Sequence, residues 1–276
     1  MKQIKPILHQ DVAEIFFPVE KIACRELFQG FDFVKDKDHA IFLPEQNKIV
    51  HFCSEGYQLV SNRELIGPIL DDVSQVYGSS GIAAQSISLD DRKFYTSLRI
   101  HNQEELIARG DHIHPGIEIR NSYDGSMKFS LTMGFWRTQT LTPLLGYGQT
   151  IAEEKKHSNK YHGELDRKNL KDLSEIFLSE SEKFRQMARY SLTLGDITRI
   201  TELIKKKTEY PKRLIHEGPL AMYQEVQSQQ TEPNLWLLYN GFNYTLYHAD
   251  IQMHGEFRER IGRQVVKIIS REIGKE

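Results

Sequence analysis

A chain of 276 residues has room for one large domain or two small ones built on at least one substantial core. Hydrophobic residues make up 39% and charged residues 27%, and no run of about 18 apolar residues occurs, which excludes a membrane-spanning helix. The net charge of −2 excludes a surface coated throughout in positive charge, so a nucleic-acid partner requires basic groups gathered on one face.

The start, MKQIKPILHQDVAEIFF, has no sustained apolar stretch before a small-residue cleavage site, so no signal peptide is expected. Cys24 and Cys53 are too few for a disulfide framework or a zinc knuckle, and a reducing cytoplasm is the expected location. HAIFL, Pro44-Glu45-Gln46-Asn47 and KIVHFCS predict a hairpin. In YQLVSNRELIGPILDDVSQVYG the period changes. Ser61 and Glu64 have capping-box spacing, and Leu65, Ile69, Val73 and Val76 follow at helical intervals. Pro68 inside that pattern predicts a late start or a kink. IAAQSISL and KFYTSLRIH flank Asp90-Asp91 as a second hairpin, and GIEIRN begins a third.

Asp124-Gly125 supplies the turn of the third hairpin, since glycine takes positive φ freely and aspartate tolerates it. Beyond it Met127, Phe129, Leu131, Met133 and Phe135 alternate with Lys128, Ser130, Thr132, Gly134 and Trp136, which predicts a half-buried strand. Residues 146–164 are polar and weakly patterned and read as a mobile connection. Helical spacing then runs through 164–190, 194–207, 217–229, 233–248 and 254–273. The expected fold class is α+β: a mainly antiparallel sheet from hairpins in the first half, backed by helices from the second. A strand-rich half, 1–150, and a helical half, 151–276, are expected to pack as one domain.

The polar knot Asn121-Ser122-Tyr123-Asp124-Gly125-Ser126 has two readings. With Arg120 and Arg137 near the ends of the hairpin it offers backbone N–H groups and cations to phosphates. It equally suits a loop that satisfies its own backbone.

NSYDGS, the alternating strand and Arg137 together resemble the central motif of a phage- and plasmid-associated family, domain of unknown function 932. Its members carry an Asn-Ser-(His/Tyr)-Asp-Gly-Ser turn, a strand and an Arg-centred segment. WLLYNGFNYTLYH, 236–248, resembles that family's late Trp-x-x-(Tyr/Phe)-Asn-Ala-x-Thr-x-Tyr-x-x-His motif through Trp236, Tyr239, Asn240, Tyr244 or Tyr247, and His248. The chain departs from the family where TQTLTPLLG replaces a Cys-Asn-Gly-Leu-like segment and where Gly241 replaces the usual alanine. The family carries no settled activity. The resemblance implies a mobile-element context and, at fold level alone, a likeness to single-strand DNA annealing proteins of the Rad52-like group.

Residues 151–276 hold 21 Lys+Arg against 19 Asp+Glu, so a basic surface is expected there. In HGEFRERIGRQVVKIISREIGKE, Phe257, Ile261, Val265, Ile268 and Ile269 form an apolar face. Arg260, Arg263, Lys267 and Arg271 form a stripe opposite. Such a stripe tracks a phosphate backbone, or simply solvates a surface helix. Lys205–Lys207 form a second basic spot at a helix C-terminus, where they offset the macrodipole. On 233–248, which Pro233 opens near its first position, Trp236, Asn240, Asn243 and Tyr247 share one side, suited to stacking bases or to a core contact.

Asp111-His112-Ile113-His114 gathers three metal-ligand types in four residues, and His248, Asp250 and His254 form another set, but neither has a recognised zinc spacing. No phosphate-binding loop of P-loop type and no Gly-x-Ser-x-Gly elbow occurs. The first expectation is a non-hydrolytic nucleic-acid-binding protein of a phage or plasmid. It would bind or anneal single-stranded DNA on a homo-oligomeric surface, with no metal or cofactor. Its contacts would be Arg120, Asn121, Tyr123, Lys128, Trp136 and Arg137 at the hairpin and Arg260, Arg263, Lys267 and Arg271 on the last helix. The alternatives are a protein-interaction module that inhibits a host defence or regulatory factor, and a metal-dependent enzyme using Asp111–His114.

Overall fold

The computed structural model describes residues 7–9, 12–127, 129–140, 142–147, 149–155, 167–249 and 255–273. In chain order the elements begin with β1 (Ile7–His9), β2 (Glu20–Ala23), α1 (Cys24–Leu27), β3 (His39–Leu43), β4 (Lys48–Cys53) and α2 (Asn62–Tyr77). Then come β5 (Ile82–Leu89), β6 (Lys93–Ile100), β7 (Glu105–Ala108), β8 (Asp111–Ser122), β9 (Phe129–Arg137), β10 (Thr142–Pro143) and β11 (Gln149–Lys155). The chain finishes with α3 (Arg167–Arg189), α4 (Leu194–Lys207), α5 (Glu217–Gln229), α6 (Leu235–His248) and α7 (Gly255–Ile273).

The fold is α+β, with antiparallel strands in the first half and helices in the second. Among the described residues one sheet runs β1-β5-β6-β8-β9-β10, with β7 beside β8 and β11 beside β9, and β2-β3-β4 form a smaller sheet. The hairpins arise where the turn residues require them. Asn47, between β3 and β4, has φ 48°, and Asp90 and Asp91, between β5 and β6, have φ 58° and 57°. All three belong to the residue types that tolerate the left-handed region best. Register follows from these turns, Leu89 facing Lys93 and Ile82 facing Ile100.

The chain divides into two compact units that do not follow its sequence halves. The first comprises Met1–Asn102, Gly116–Met133 and Thr150–Asp172, and the second Gln103–Pro115, Gly134–Gln149 and Leu173–Glu276. In the first unit, α2 opens with the full capping box of Ser61 and Glu64 and starts at Asn62, ahead of Pro68 rather than after it. Gly67, directly before the proline, lacks the Cβ that would clash with the proline ring in a helical backbone. Cys24 and Cys53 are buried free thiols, each with its pKa raised by burial. Part of the connection expected at 146–164 is ordered, since 149–155 is strand β11, and residues 156–166 lie outside the described residues.

In the second unit α6 is buried from Leu235 to Asn243 on all sides, as its apolar composition requires. Asn234 caps it, accepting from Leu237 N at 2.9 Å, so Pro233 stands just outside the helix rather than in its first turn. Phe135 packs on Phe177 and Phe184 with ring centroids 5.5 and 6.1 Å apart, and Phe184 packs on Trp236 at 5.1 Å. Two pairs of glycines set the close approaches. A Cβ on Gly241 would fall inside 3.0 Å of the Gly218 carbonyl oxygen of α5. One on Gly262 of α7 would strike the backbone of Leu145 and Gly146. The second contact, with Gly146 N donating to Glu259 at 3.0 Å, fixes which face of α7 is covered.

Candidate nucleic-acid interface

The polar knot is part of the interior of the first unit. Asn121, Ser122 and Tyr123 are all buried. Asn121 Nδ2 donates to Asn62 Oδ1 at 2.9 Å, and Asn62 Nδ2 donates to Ile15 O at 3.1 Å. The Tyr123 hydroxyl accepts from Asn62 N at 3.0 Å, and Tyr57 donates to Tyr123 O at 3.1 Å. Ser122 Oγ bridges Met127 N and O, and Asp124 accepts from Ser126 N at 2.9 Å. The knot therefore closes its own turn and ties β8 to the start of α2. Burial pushes the Tyr123 phenol far above its usual pKa and keeps it neutral. Asn121 and Tyr123 are thereby withdrawn from any ligand. Arg120 is mostly covered and donates to Glu118 at 2.5 Å, and Lys128 lies outside the described residues.

Arg137 and Trp136 are buried as well, at 1% and 5% exposure, inside the second unit. The alternation expected along β9 lasts to Met133, after which both faces are covered. Arg137 Nε donates to Asp111 Oδ1 at 2.7 Å, and Nη1 donates to Glu225 Oε2 at 2.9 Å. Nη2 adds bonds to both carboxylates. Trp236 Nε1 donates to Asp111 Oδ2 at 2.6 Å, and Gln229 supports Glu225 at 2.6 Å. Burial disfavours the Arg137 charge, but hydrogen bonds to Glu225 and Asp111, and their negative charge, outweigh it and hold the guanidinium above its ordinary pKa. One charged cluster thus joins β8, β9, α5 and α6. It is an internal clamp and offers no cation to a phosphate.

Strand geometry separates the metal ligands that looked adjacent in sequence. Successive side chains of β8 point to opposite faces. Asp111 faces Arg137 and Trp236, whereas His112 and His114 lie on the other face. There His112 is 3.6 Å from Glu104, and His114 Nδ1 is 3.3 Å from Thr138 Oγ1. Among the described residues no three His, Cys, Asp or Glu side chains could hold a metal ion. Asp250 and His254 of the second set lie outside the described residues.

Trp236, Asn240 and Asn243 of α6 are likewise interior groups. Asn243 accepts from Leu145 N at 3.0 Å and donates to Pro143 O at 2.8 Å, while Tyr239 donates to Leu145 O at 2.8 Å. The late motif therefore holds the turn after β10, against which α7 packs.

The cations of α7 are placed differently. Ile261, Val265, Ile268 and Ile269 are buried, and Arg260, Arg263, Lys267 and Arg271 are exposed. Arg260 pairs with Glu209 at 2.5 Å and lies over the Phe257 ring at 4.9 Å. Arg263, Lys267 and Arg271 have no acidic partner among the described residues. They recur every four residues, about 6 Å apart along the helix. Helix α4 runs antiparallel beside α7. Arg199 grips Glu272 at 2.7 and 3.1 Å near one end, and Glu209 N donates to Gln264 at 2.8 Å near the other. This brings Lys207 of α4 and Arg271 of α7 to one cleft of about 200 Å³, also lined by Leu203, Ile268 and Glu272. The two basic spots read separately in the sequence meet there. Their meeting depends on tertiary packing, and the basic run at the end of α4 was its only sequence signal.

No helix among the described residues is long and apolar enough to cross a membrane. No curated protein and no solved structure matches the chain, so the likeness to single-strand annealing proteins stays a sequence expectation. Arg137, at the end of the first quoted motif, and Trp236 of the second meet on Asp111 inside the second unit. The model of the domain of unknown function (DUF932) matches residues 50–265, more than half of the chain, and the protein belongs to that family.

Proposed function

We propose that the protein binds nucleic acid without hydrolysing it, through the exposed face of α7. The observation that carries this reading is the row Arg263, Lys267 and Arg271, exposed and free of acidic partners among the described residues, with Lys207 beside it. Each such cation releases condensed counterions when it meets a phosphate, which gives affinity without sequence preference. The near-neutral net charge does not oppose this, because three exposed cations without an acidic partner among the described residues recur along one face of α7. Arg260 contributes less, since Glu209 already neutralises it. The context we infer is that of a mobile element, with single-strand binding or annealing as the task.

The test is the anisotropy of a labelled single-stranded oligonucleotide at low salt. Changing Arg263, Lys267 and Arg271 together to alanine is expected to weaken binding about tenfold or more. All three are exposed, so the fold stays intact, and circular dichroism checks that. Unchanged affinity removes α7 from the interface. A second reading, a protein-interaction module, draws on Phe31 and Val34, which are 70% and 72% exposed in the first unit. A protein partner retained after nuclease treatment, and lost on Phe31→Ser with Val34→Ser, supports that reading instead.

A further inference from the structure

We propose that the cleft between α4 and α7 takes a single unstacked base of a nucleic-acid strand, while Lys207 and Arg271 hold the phosphates on either side of it. This deepens, and rests on, the nucleic-acid reading of α7. The cleft has two chemistries. Leu203 of α4 and Ile268 of α7 give it an apolar floor, and Lys207 and Arg271, both exposed, give it cationic rims. The one acid among its lining residues, Glu272, is 1% exposed and accepts from Nη1 and Nη2 of Arg199, a guanidinium it shares with Asp196, so its charge faces a cation within the wall. The C-terminal end of α4 carries only about half a negative charge. Lys205, Lys206 and Lys207 more than offset it, and of these Lys205 and Lys206 lean on Glu202, leaving Lys207 to the cleft.

A stacked duplex presents phosphates and has no use for an apolar floor. A single strand presents both a phosphate and the apolar face of a base within one nucleotide. The floor here is aliphatic, so removal of the base face from water carries the contact rather than ring stacking. The cleft volume of about 200 Å³ admits one such group. Duplex is therefore expected to bind only along the α7 row, and a single strand to add the cleft.

The experiment compares three probes by anisotropy at one salt concentration: an oligothymidylate of about 15 nucleotides, near the upper site size of single-strand modules, an abasic strand of equal length, and a duplex. The unmodified protein is expected to bind the oligothymidylate about tenfold tighter than the abasic strand. Leu203→Asn is expected to abolish that difference. Lys207→Ala with Arg271→Ala is expected to weaken both single strands. Equal affinity of the unmodified protein for the two single strands overturns the base slot and leaves the α7 reading standing. Preference for the duplex overturns the slot as well. Failure to bind any probe overturns the nucleic-acid reading itself. The comparison of probes on the unmodified protein needs no variant, so a misfolded Leu203→Asn does not spare the proposal.

Discussion

Arg137→Ala is expected to destabilise the second unit by about 3–5 kcal/mol, the cost of leaving a buried carboxylate without its cation. Asp111 is 0% exposed, and after the change no cation among the described residues faces it, while the hydrogen bond from the Trp236 indole N–H remains. Glu225 is 18% exposed and can turn to solvent, so Asp111 bears the penalty. Adding Asp111→Asn is expected to recover part of the loss, because the amide keeps an oxygen for Trp236 and carries no charge. The chain has two tryptophans, Trp136 and Trp236, and both lie in this unit. Their fluorescence during urea unfolding therefore reports on it selectively. A loss below about 1 kcal/mol would mean that the cluster behaves as an exposed pair rather than as an internal clamp.

Gly241→Val is expected to cost about 3 kcal/mol, because the added Cβ meets the Gly218 carbonyl oxygen and Met222 N, both backbone atoms of α5 that have no rotamer to yield. The neighbouring approach is equally tight, since a Cβ on Gly218 would enter the Phe242 ring. Helix propensity alone predicts the opposite sign, as a glycine inside a helix costs about 1 kcal/mol relative to alanine. Gly195→Ala in the first turn of α4 is the contrast. Its Cβ would meet only Thr193 Oγ1 at 3.6 Å, an ordinary contact, and the change is expected to stabilise by about 0.5 kcal/mol. Thermal unfolding of the two variants separates them by sign. The same contact gives a physical reason for glycine at the position where the family usually has alanine: here α5 and α6 approach too closely for a side chain.

Much of the architecture was legible because period and turn chemistry are local. The five helices of the second half appear where their apolar spacing put them, and the Asp90-Asp91 turn sets its hairpin. The capping pair Ser61 and Glu64 also acts as spaced. What sequence reasoning missed lies in partners far along the chain. Asn121 and Tyr123 read as loop side chains open to a ligand, but Asn62, about 60 residues earlier, takes them into the core. Arg137 read as a phosphate contact until Glu225, 88 residues on, enclosed it. Trp136 followed the solvent face of an alternating strand, yet β9 is covered on both sides beyond Met133. Asp111 and His114 looked like one cluster because they are close in sequence, and the pleat sends them to opposite faces.

The α7 stripe behaved otherwise. Helical periodicity placed Arg263, Lys267 and Arg271 on one face, and that face is exposed. The same periodicity puts Arg260 in this row, but Glu209 from the loop after α4, 51 residues away, neutralises it. Lys207 joins the row only because α4 and α7 are antiparallel neighbours held by Arg199 and Glu272.

The salt dependence of single-strand binding tests the central claim most directly. For single strands the slope of log affinity against log salt concentration is about −0.7 per phosphate neutralised. If Arg263, Lys267 and Arg271 each hold a phosphate, replacing all three by alanine reduces the magnitude of that slope by about 2. Parallel lines for the two proteins, or no binding by either at low salt, would contradict the account.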